Sequence, residues 1–166
     1  MARVALTACH VLAAADRETL AQAETALTET LRRGLAAIPG VTVHSLFGDR
    51  ADSIGVVTFT VAGQQPAVIA AALSAEHGIG VRDGAFCAHP LVRRLLGAAG
   101  CTDADNGQAL RASVGLGTTT EHVQRLVRAV ESIAEHGPRL RYVTRDGRPV
   151  PAVDARELPV IAPWQR

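Results

Sequence analysis

At 166 residues, with 48% apolar side chains, the chain is long enough to bury a core as one compact domain. Aromatic residues make up only 3%, so that core must be built mainly from Val, Leu, Ile and Ala. A formal charge of +1 provides no broad basic face and argues against nucleic acid or an anionic membrane surface as a partner.

The apolar runs are shorter than the roughly 20 residues of a membrane span, and no charged leader precedes an apolar block with a cleavage site. Three cysteines without framework or CxxC spacing fit a reducing compartment and give no metal site. The expected location is cytoplasmic. All 17 basic residues are arginine, so the sequence contains no lysine.

In chain order, an alanine- and leucine-rich stretch predicts a helix over about 3 to 14, with Cys9 in its core, and a longer helix over about 17 to 37. Asp16 is placed to cap the second, and Leu20, Leu27, Leu31, Leu35 and Ile38 share one of its faces. Pro39-Gly40 ends it. Val41 to Leu46 alternates as a half-buried strand, and Ser53 to Val61 follows as a longer one, with a hairpin loop over 48 to 52. Pro66 opens a helix that Gly78 closes.

Ile79 to Pro90 then predicts a short strand turning through Gly84 into Cys87, followed by a short helix from Pro90 to about Leu96. The segment 97 to 108, with Cys101, Asp103, Asp105 and Asn106, is expected to be an exposed, mobile loop. Ala109 to Leu116 is a strand with Leu110, Ala112, Val114 and Leu116 on one face, leaving Arg111 and Ser113 on the other. Thr118 and Glu121 suggest a capping box ahead of a helix that buries Val123, Leu126, Val127, Val130 and Ile133 and ends at Gly137-Pro138. Leu140 to Val150 around Asp146-Gly147 has the form of a hairpin, and a proline-punctuated run follows.

This order predicts an α/β fold of the sandwich type, a small, mostly antiparallel sheet covered on one side by helices. The expected organisation is N-terminal linking helices over 1–38, a small α/β domain over 39–136 and a C-terminal tail over 137–166.

Three polar side chains lie close together in the sequence: Arg82, Cys87 and His89. Cys87 precedes a helix start, where unpaired N–H groups and the positive end of the dipole favour an anion, and Arg82 or His89 would add to that effect on a thiolate. Flanked by Ala85, Phe86 and Ala88, it is alternatively a small buried hydrophobe. Arg111, on a rigid strand beside Ser113, is suited to grip a substrate carboxylate through a bidentate pair; the alternative is a surface arginine whose stem lies along the sheet. His89 is a solvent-facing helix-start residue, a base for Cys87, or a cap. His10, His44, His77, His122 and His136 lack metal-ligand spacing.

The segments Gly34 to Val41, Gly78 to Leu91 with Arg82-Asp83-Gly84-Ala85-Phe86-Cys87-Ala88, and Leu110 to Val114 followed by Thr118 to Glu121 resemble the C-terminal small domain of class V aminotransferases. The branch they resemble most is that of the cysteine desulfurases and selenocysteine lyases, which are pyridoxal-phosphate enzymes. The resemblance covers roughly residues 17 to 136.

It implies that Cys87 is the nucleophile that takes up sulfur and that Arg111 binds the substrate carboxylate, with Arg82 and His89 as further substrate-side candidates. The chain departs from the branch at Ala85 and Phe86, where histidines commonly precede the cysteine. It departs also in its longer acidic loop and at Thr118-Thr119. The resemblance places the cofactor-holding lysine in a large domain, and with no lysine this sequence cannot form the Schiff base that anchors pyridoxal phosphate.

The opening Met1 to Leu6 reads like the middle of the helix that joins the two domains. The expected role is half of an active site, inactive alone and completed by a large domain in trans or within a homo-oligomer, with a small amino acid as substrate. The alternatives are a non-catalytic regulatory module that docks onto a full-length relative, and a cofactor-free thiol protein carrying sulfur on Cys87.

Overall fold

The computed structural model describes residues 10, 13–45, 54–98, 100 and 107–156. Helix α1 spans Arg17–Ala36. Its first turn is closed by Asp16, whose carboxylate accepts from the Thr19 backbone N–H at 3.2 Å and from the Thr19 hydroxyl at 2.7 Å. Those two bonds hold the Asp16 carboxyl below the usual carboxylate range, the hydroxyl contributing most.

Strands β1 (Val41–His44) and β2 (Val56–Val61) follow, then helix α2 (Pro66–His77), strand β3 (Arg82–Gly84), helix α3 (His89–Ala98), strand β4 (Ala109–Ser113) and helix α4 (Thr120–His136). Pro66 occupies the first turn of α2, where its missing N–H costs nothing. Gly78, at φ 65°, ends α2 in a left-handed cap; its N–H donates to the Ser74 carbonyl and that of Ile79 to the Leu73 carbonyl. The predicted 3–14 helix, the 48–52 loop, Cys9, Cys101 and the acidic residues after it lie largely or wholly outside the described residues.

The four strands form one sheet in the order β1-β2-β4-β3, with every neighbouring pair antiparallel. Val57, Phe59 and Val61 of β2 and Leu110 and Ala112 of β4 face the core, where they meet Leu31 and Leu35 of α1, Ile69 and Leu73 of α2, and Val123, Leu126, Val130 and Ile133 of α4. Phe59 at the centre is fully buried. The three long helices therefore cover one face of the sheet. Gly34 lets α1 and α4 approach closely, since a Cβ there would lie 2.7 Å from Val127 Cγ2.

The short α3 belongs to the other face. Its Val92 and Leu96 bury against Ala85 and Ala109, with Phe86 at the margin, and Ala109 points away from the core-facing Leu110.

Two details differ from the sequence expectation. Helix α4 is capped by Thr119 rather than Thr118: the Thr119 hydroxyl accepts from His122 N–H, and His122 Nδ1 accepts from Thr119 N–H, both at 3.3 Å. Glu121 has no part in the box because the Thr118 hydroxyl is engaged one step earlier, accepting from Gly115 N–H at 2.9 Å and closing the turn before the helix. That same turn ends β4 at Ser113, so Leu116 is 76% exposed instead of sharing the buried face.

The C-terminal segment forms a separate two-stranded sheet, β5 (Tyr142–Arg145) with β6 (Arg148–Pro151). Asp146 at φ 49° and Gly147 at φ 74° form its tip, the left-handed pair that a two-residue hairpin loop requires. Glu76 of α2 fastens this hairpin, accepting from Arg139 N–H at 3.0 Å, Leu140 N–H at 3.1 Å and the Tyr142 hydroxyl at 2.9 Å. Arg156 adds a bond to the Ser74 carbonyl while forking onto Asp154 at 2.6 and 2.8 Å.

Candidate functional site

Side chains alternate along each strand, so with Leu110 and Ala112 in the core, Arg111 projects from the face opposite the long helices. The strand register then sets its neighbours. Arg111 lies opposite Thr58 on β2 and opposite Arg82 on β3, and Thr58 lies opposite His44 on β1. His44, Thr58, Arg111 and Arg82 thus form one row across all four strands. His44 Nε2 lies 2.9 Å from the Thr60 hydroxyl, both residues being buried.

Arg111 is half-buried, and its guanidinium carbon lies 5.3 Å from the centre of the Phe86 ring, an arrangement in which the ring attracts the cation and fixes its plane. Its Nε is buried and has no hydrogen-bond partner. Among the described residues no carboxylate pairs with Arg111 or with Arg82. An arginine held rigidly, partly desolvated and unpaired is a ready receptor for an anion.

The loop carrying Phe86 also carries Cys87. Ala88 N–H donates to the Ala85 carbonyl at 2.8 Å, and between them Phe86 (φ 52°) and Cys87 (φ 60°) both adopt left-handed backbone. Such a conformation costs roughly 1–2 kcal/mol for each residue bearing a Cβ. The tight turn presents Phe86 to Arg111 and leaves Cys87 exposed, with its thiol free. A small buried hydrophobe is therefore the wrong description of Cys87.

The structure brings Arg82, Arg111 and, through Phe86, the Cys87 turn together. His89 faces elsewhere. As the first residue of α3 it lines a cleft of about 480 Å³ between the start of α2, β3 and the C-terminal hairpin, together with Gln65, Asp83, Gln108, Thr144 and Arg148. Arg148 Nη1 donates to Asp83 Oδ1 at 3.2 Å across this cleft. None of Cys87, Arg82 and Arg111 lines it.

The row partners Thr58 and His44, and the ring of Phe86, were not expected at the site. Only the strand register, which is non-local, could have shown the first two. The described residues hold no cluster of His, Cys, Asp or Glu suited to a metal, and none of their helices is long and apolar enough to cross a membrane. The pyridoxal phosphate implied by the sequence resemblance does not fit these residues alone, because a Schiff base needs a lysine amine and the sequence has none.

Known proteins resemble this chain in sequence and in fold. A probable cysteine desulfurase of Mycolicibacterium paratuberculosis is 38% identical over 120 residues, which are 72% of this chain and 16% of that protein. A probable cysteine desulfurase of Methanothermobacter thermautotrophicus is 30% identical over 111 residues, 67% of this chain and 26% of that one. The chain thus spans about a quarter or less of the length of these curated relatives.

Among solved structures, the cysteine desulfurase CsdA of Escherichia coli, in an S-sulfonic acid form, superposes with a TM-score of 0.60 at 28% identity, covering 76% of this chain and 28% of its own. The apo cysteine desulfurase of Thermococcus onnurineus NA1 gives a TM-score of 0.54 at 28% identity, over 69% and 26% of the two chains. The profile of the class V aminotransferases matches residues 3–126, well over half the sequence, and the chain belongs to that family.

Proposed function

We propose that this chain supplies the substrate-carboxylate and nucleophile-bearing side of a cysteine desulfurase-like, pyridoxal-phosphate-dependent active site, completed by a lysine-bearing large domain. The observation that carries this reading is Arg111, stacked on Phe86, without a carboxylate partner, and coupled through Phe86 to the turn that exposes Cys87. Arg111 binds the α-carboxylate of a small amino acid, and Cys87 accepts sulfur as a nucleophile. The cofactor, when bound, supplies the electron sink for bond cleavage at the substrate. Its anchoring amine belongs to that large domain, since these 166 residues contain no lysine.

Purified alone and mixed with pyridoxal phosphate and L-cysteine, the chain should develop no visible Schiff-base chromophore and release no sulfide. Sulfide release by the isolated chain would overturn the split-site assignment. Co-expressed with a lysine-bearing large domain of a relative and assayed with L-cysteine and a thiol reductant, which cleaves the Cys87 persulfide to sulfide and regenerates the thiol, it should support sulfide release that Cys87→Ser abolishes and that Arg111→Gln lowers by about 10²-fold in kcat/KM.

A second reading has its own support, a non-catalytic module that docks onto a full-length relative. Between the start of α1 and the 115–118 turn runs a groove of about 380 Å³ lined by Leu20, Leu27, Ile54 and Leu116. Ile54 is 74% exposed there, leaving apolar surface of the kind that partners cover. Co-purification with a full-length relative without any gain in its activity favours this second reading.

A further inference from the structure

The C-terminal hairpin concentrates positive charge that the chain's overall balance conceals. Residues 139–156 hold five arginines against two aspartates, while the other 148 residues hold twelve arginines against fourteen acidic residues. Arg148 and Arg156 are paired with Asp83 and Asp154. Arg139, Arg141 and Arg145 are exposed and have no carboxylate partner among the described residues.

The two faces of the hairpin differ. Tyr142 packs at the margin of the core, Thr144 and Pro149 line the cleft beside α2, and Pro151 is buried. Alternation along β5 therefore turns Arg141, Val143 and Arg145 outward. One edge of β5 is also open, since this sheet has two strands and β6 lies on the side of α2. Ala152 N–H donates to the Arg141 carbonyl, so Arg141, Val143 and Arg145 direct their backbone groups toward β6, and the N–H and C=O groups of Tyr142 and Thr144 point out along the open edge. Those groups have no backbone partner among the described residues.

We propose that the open edge of β5 is a docking strand for an extended acidic segment of a partner protein, which adds as a third strand and sets carboxylates against Arg141 and Arg145. Residues four apart on a strand share a face and stand about 13 Å apart. The matching segment therefore carries acidic residues at that interval, with an apolar residue between them opposite Val143. The pattern Glu-Thr-Val-Thr-Glu meets it in either strand direction. A second copy of this chain is a poor occupant, because edge-to-edge pairing would set arginine against arginine. Single-stranded nucleic acid is disfavoured as well, since bases need rings to stack on and the hairpin's one aromatic residue, Tyr142, is turned inward onto Glu76.

The probe is the blocked peptide Thr-Glu-Thr-Val-Thr-Glu-Thr, labelled with fluorescein, titrated with the full chain at low ionic strength and read by anisotropy. It is expected to bind at least about tenfold more tightly than its Gln-for-Glu counterpart, and at least about threefold more tightly than an isomer with its two glutamates adjacent. N-methylation of the Glu-Thr-Val-Thr-Glu amides, at unchanged charge, should abolish binding because the ladder cannot form. Arg141→Gln and Arg145→Gln should each weaken binding about threefold, and together about tenfold, with the melting temperature unchanged. Arg125→Gln, on the exposed face of α4, should have no effect.

Equal affinity for the two charge-matched isomers, or undiminished binding of the N-methylated peptide, would reduce the face to general charge attraction and overturn the docking strand. So would a wild-type chain that binds none of the peptides. Tighter binding of oligouridylate or of phosphatidylserine vesicles, lost with the same two arginine substitutions, would assign the face to nucleic acid or membrane instead.

Discussion

The positive φ of Phe86 and Cys87 is a local expense with a visible return. Each side chain in the left-handed region costs roughly 1–2 kcal/mol relative to ordinary backbone, and the turn they form puts one ring on Arg111 and one thiol in solvent. Because Cys87 is exposed, replacing it by glycine removes the steric cost without opening a cavity. Cys87→Gly should stabilise the chain by about 1 kcal/mol, with a melting temperature raised by a few degrees. A lower melting temperature would show that the turn is not strained at this position. Phe86→Gly relieves a similar strain but strips the ring from Arg111, so its stability should change less while carboxylate binding weakens; the two substitutions together separate conformational cost from function.

At the level of elements, α2 carries both the core and the fastening of the C-terminal hairpin. Burial alone would raise the Glu76 carboxyl, but the N–H groups of Arg139 and Leu140 and the Tyr142 hydroxyl outweigh it and hold the group below its ordinary value. Burial, and then the same Glu76 contact, pushes the Tyr142 phenol above its usual range. A carboxyl depressed in the folded state stabilises fully above its unfolded value, near 4.5, and that contribution is lost as pH falls through the lower folded value. Amide protection in 139–151 should therefore drop in acid before protection in β2 and β4 does, and Glu76→Gln should lower it at neutral pH by the equivalent of about 1–2 kcal/mol. Hairpin protection that holds unchanged into acid in the wild-type chain would refute the Glu76 fastening. The α1–α4 contact gives a second test. Gly34→Ala gains up to about 1 kcal/mol of helix propensity but meets Val127, so a net loss of about 1 kcal/mol is expected, recovered when Val127→Ala is added. Thermal melts of the two single variants and the double variant decide it. The elements legible in the sequence were those written locally: Asp16 as cap, Pro66 and Gly78 bounding α2, and Asp146-Gly147 as hairpin tip. Thr118 misled because two adjacent threonines compete for one cap, and the winner depends on the Gly115 N–H. The arginine pair could not be read at all, since a register between β3 and β4 depends on how two strands far apart in sequence settle on a shared core.

Across the whole molecule, the burial pattern separates what holds the fold from what holds the site. Among the described residues, the buried members of the main cluster lie between Leu31 and Ile133, and the hairpin adds Tyr142 at the margin of that cluster. On the opposite face α3 rests on the small group of Ala85, Val92, Leu96 and Ala109. Stability is therefore expected to be graded: the long helices and central strands should form the cooperative unit, and α3 with the Cys87 turn should open at lower free energy. A chain ending after Pro138 should still unfold in one cooperative transition, weakened by a few kcal/mol through loss of the Glu76 bonds and the Tyr142 contact. Phe59→Ala, at the centre of the sheet, should cost about 3–5 kcal/mol and weaken every element together. Hydrogen exchange on the intact chain provides the sharper measurement, with α3 amides exchanging faster than those of β2, β4 and α4. Equal protection in α3 and β4 would mean that both faces form one unit. Then the Cys87 turn would be as rigid as the core, and Phe86 would clamp Arg111 permanently. Faster exchange would mean that the ring lifts transiently from Arg111, so that the cation–π contact is made and broken in the folded chain.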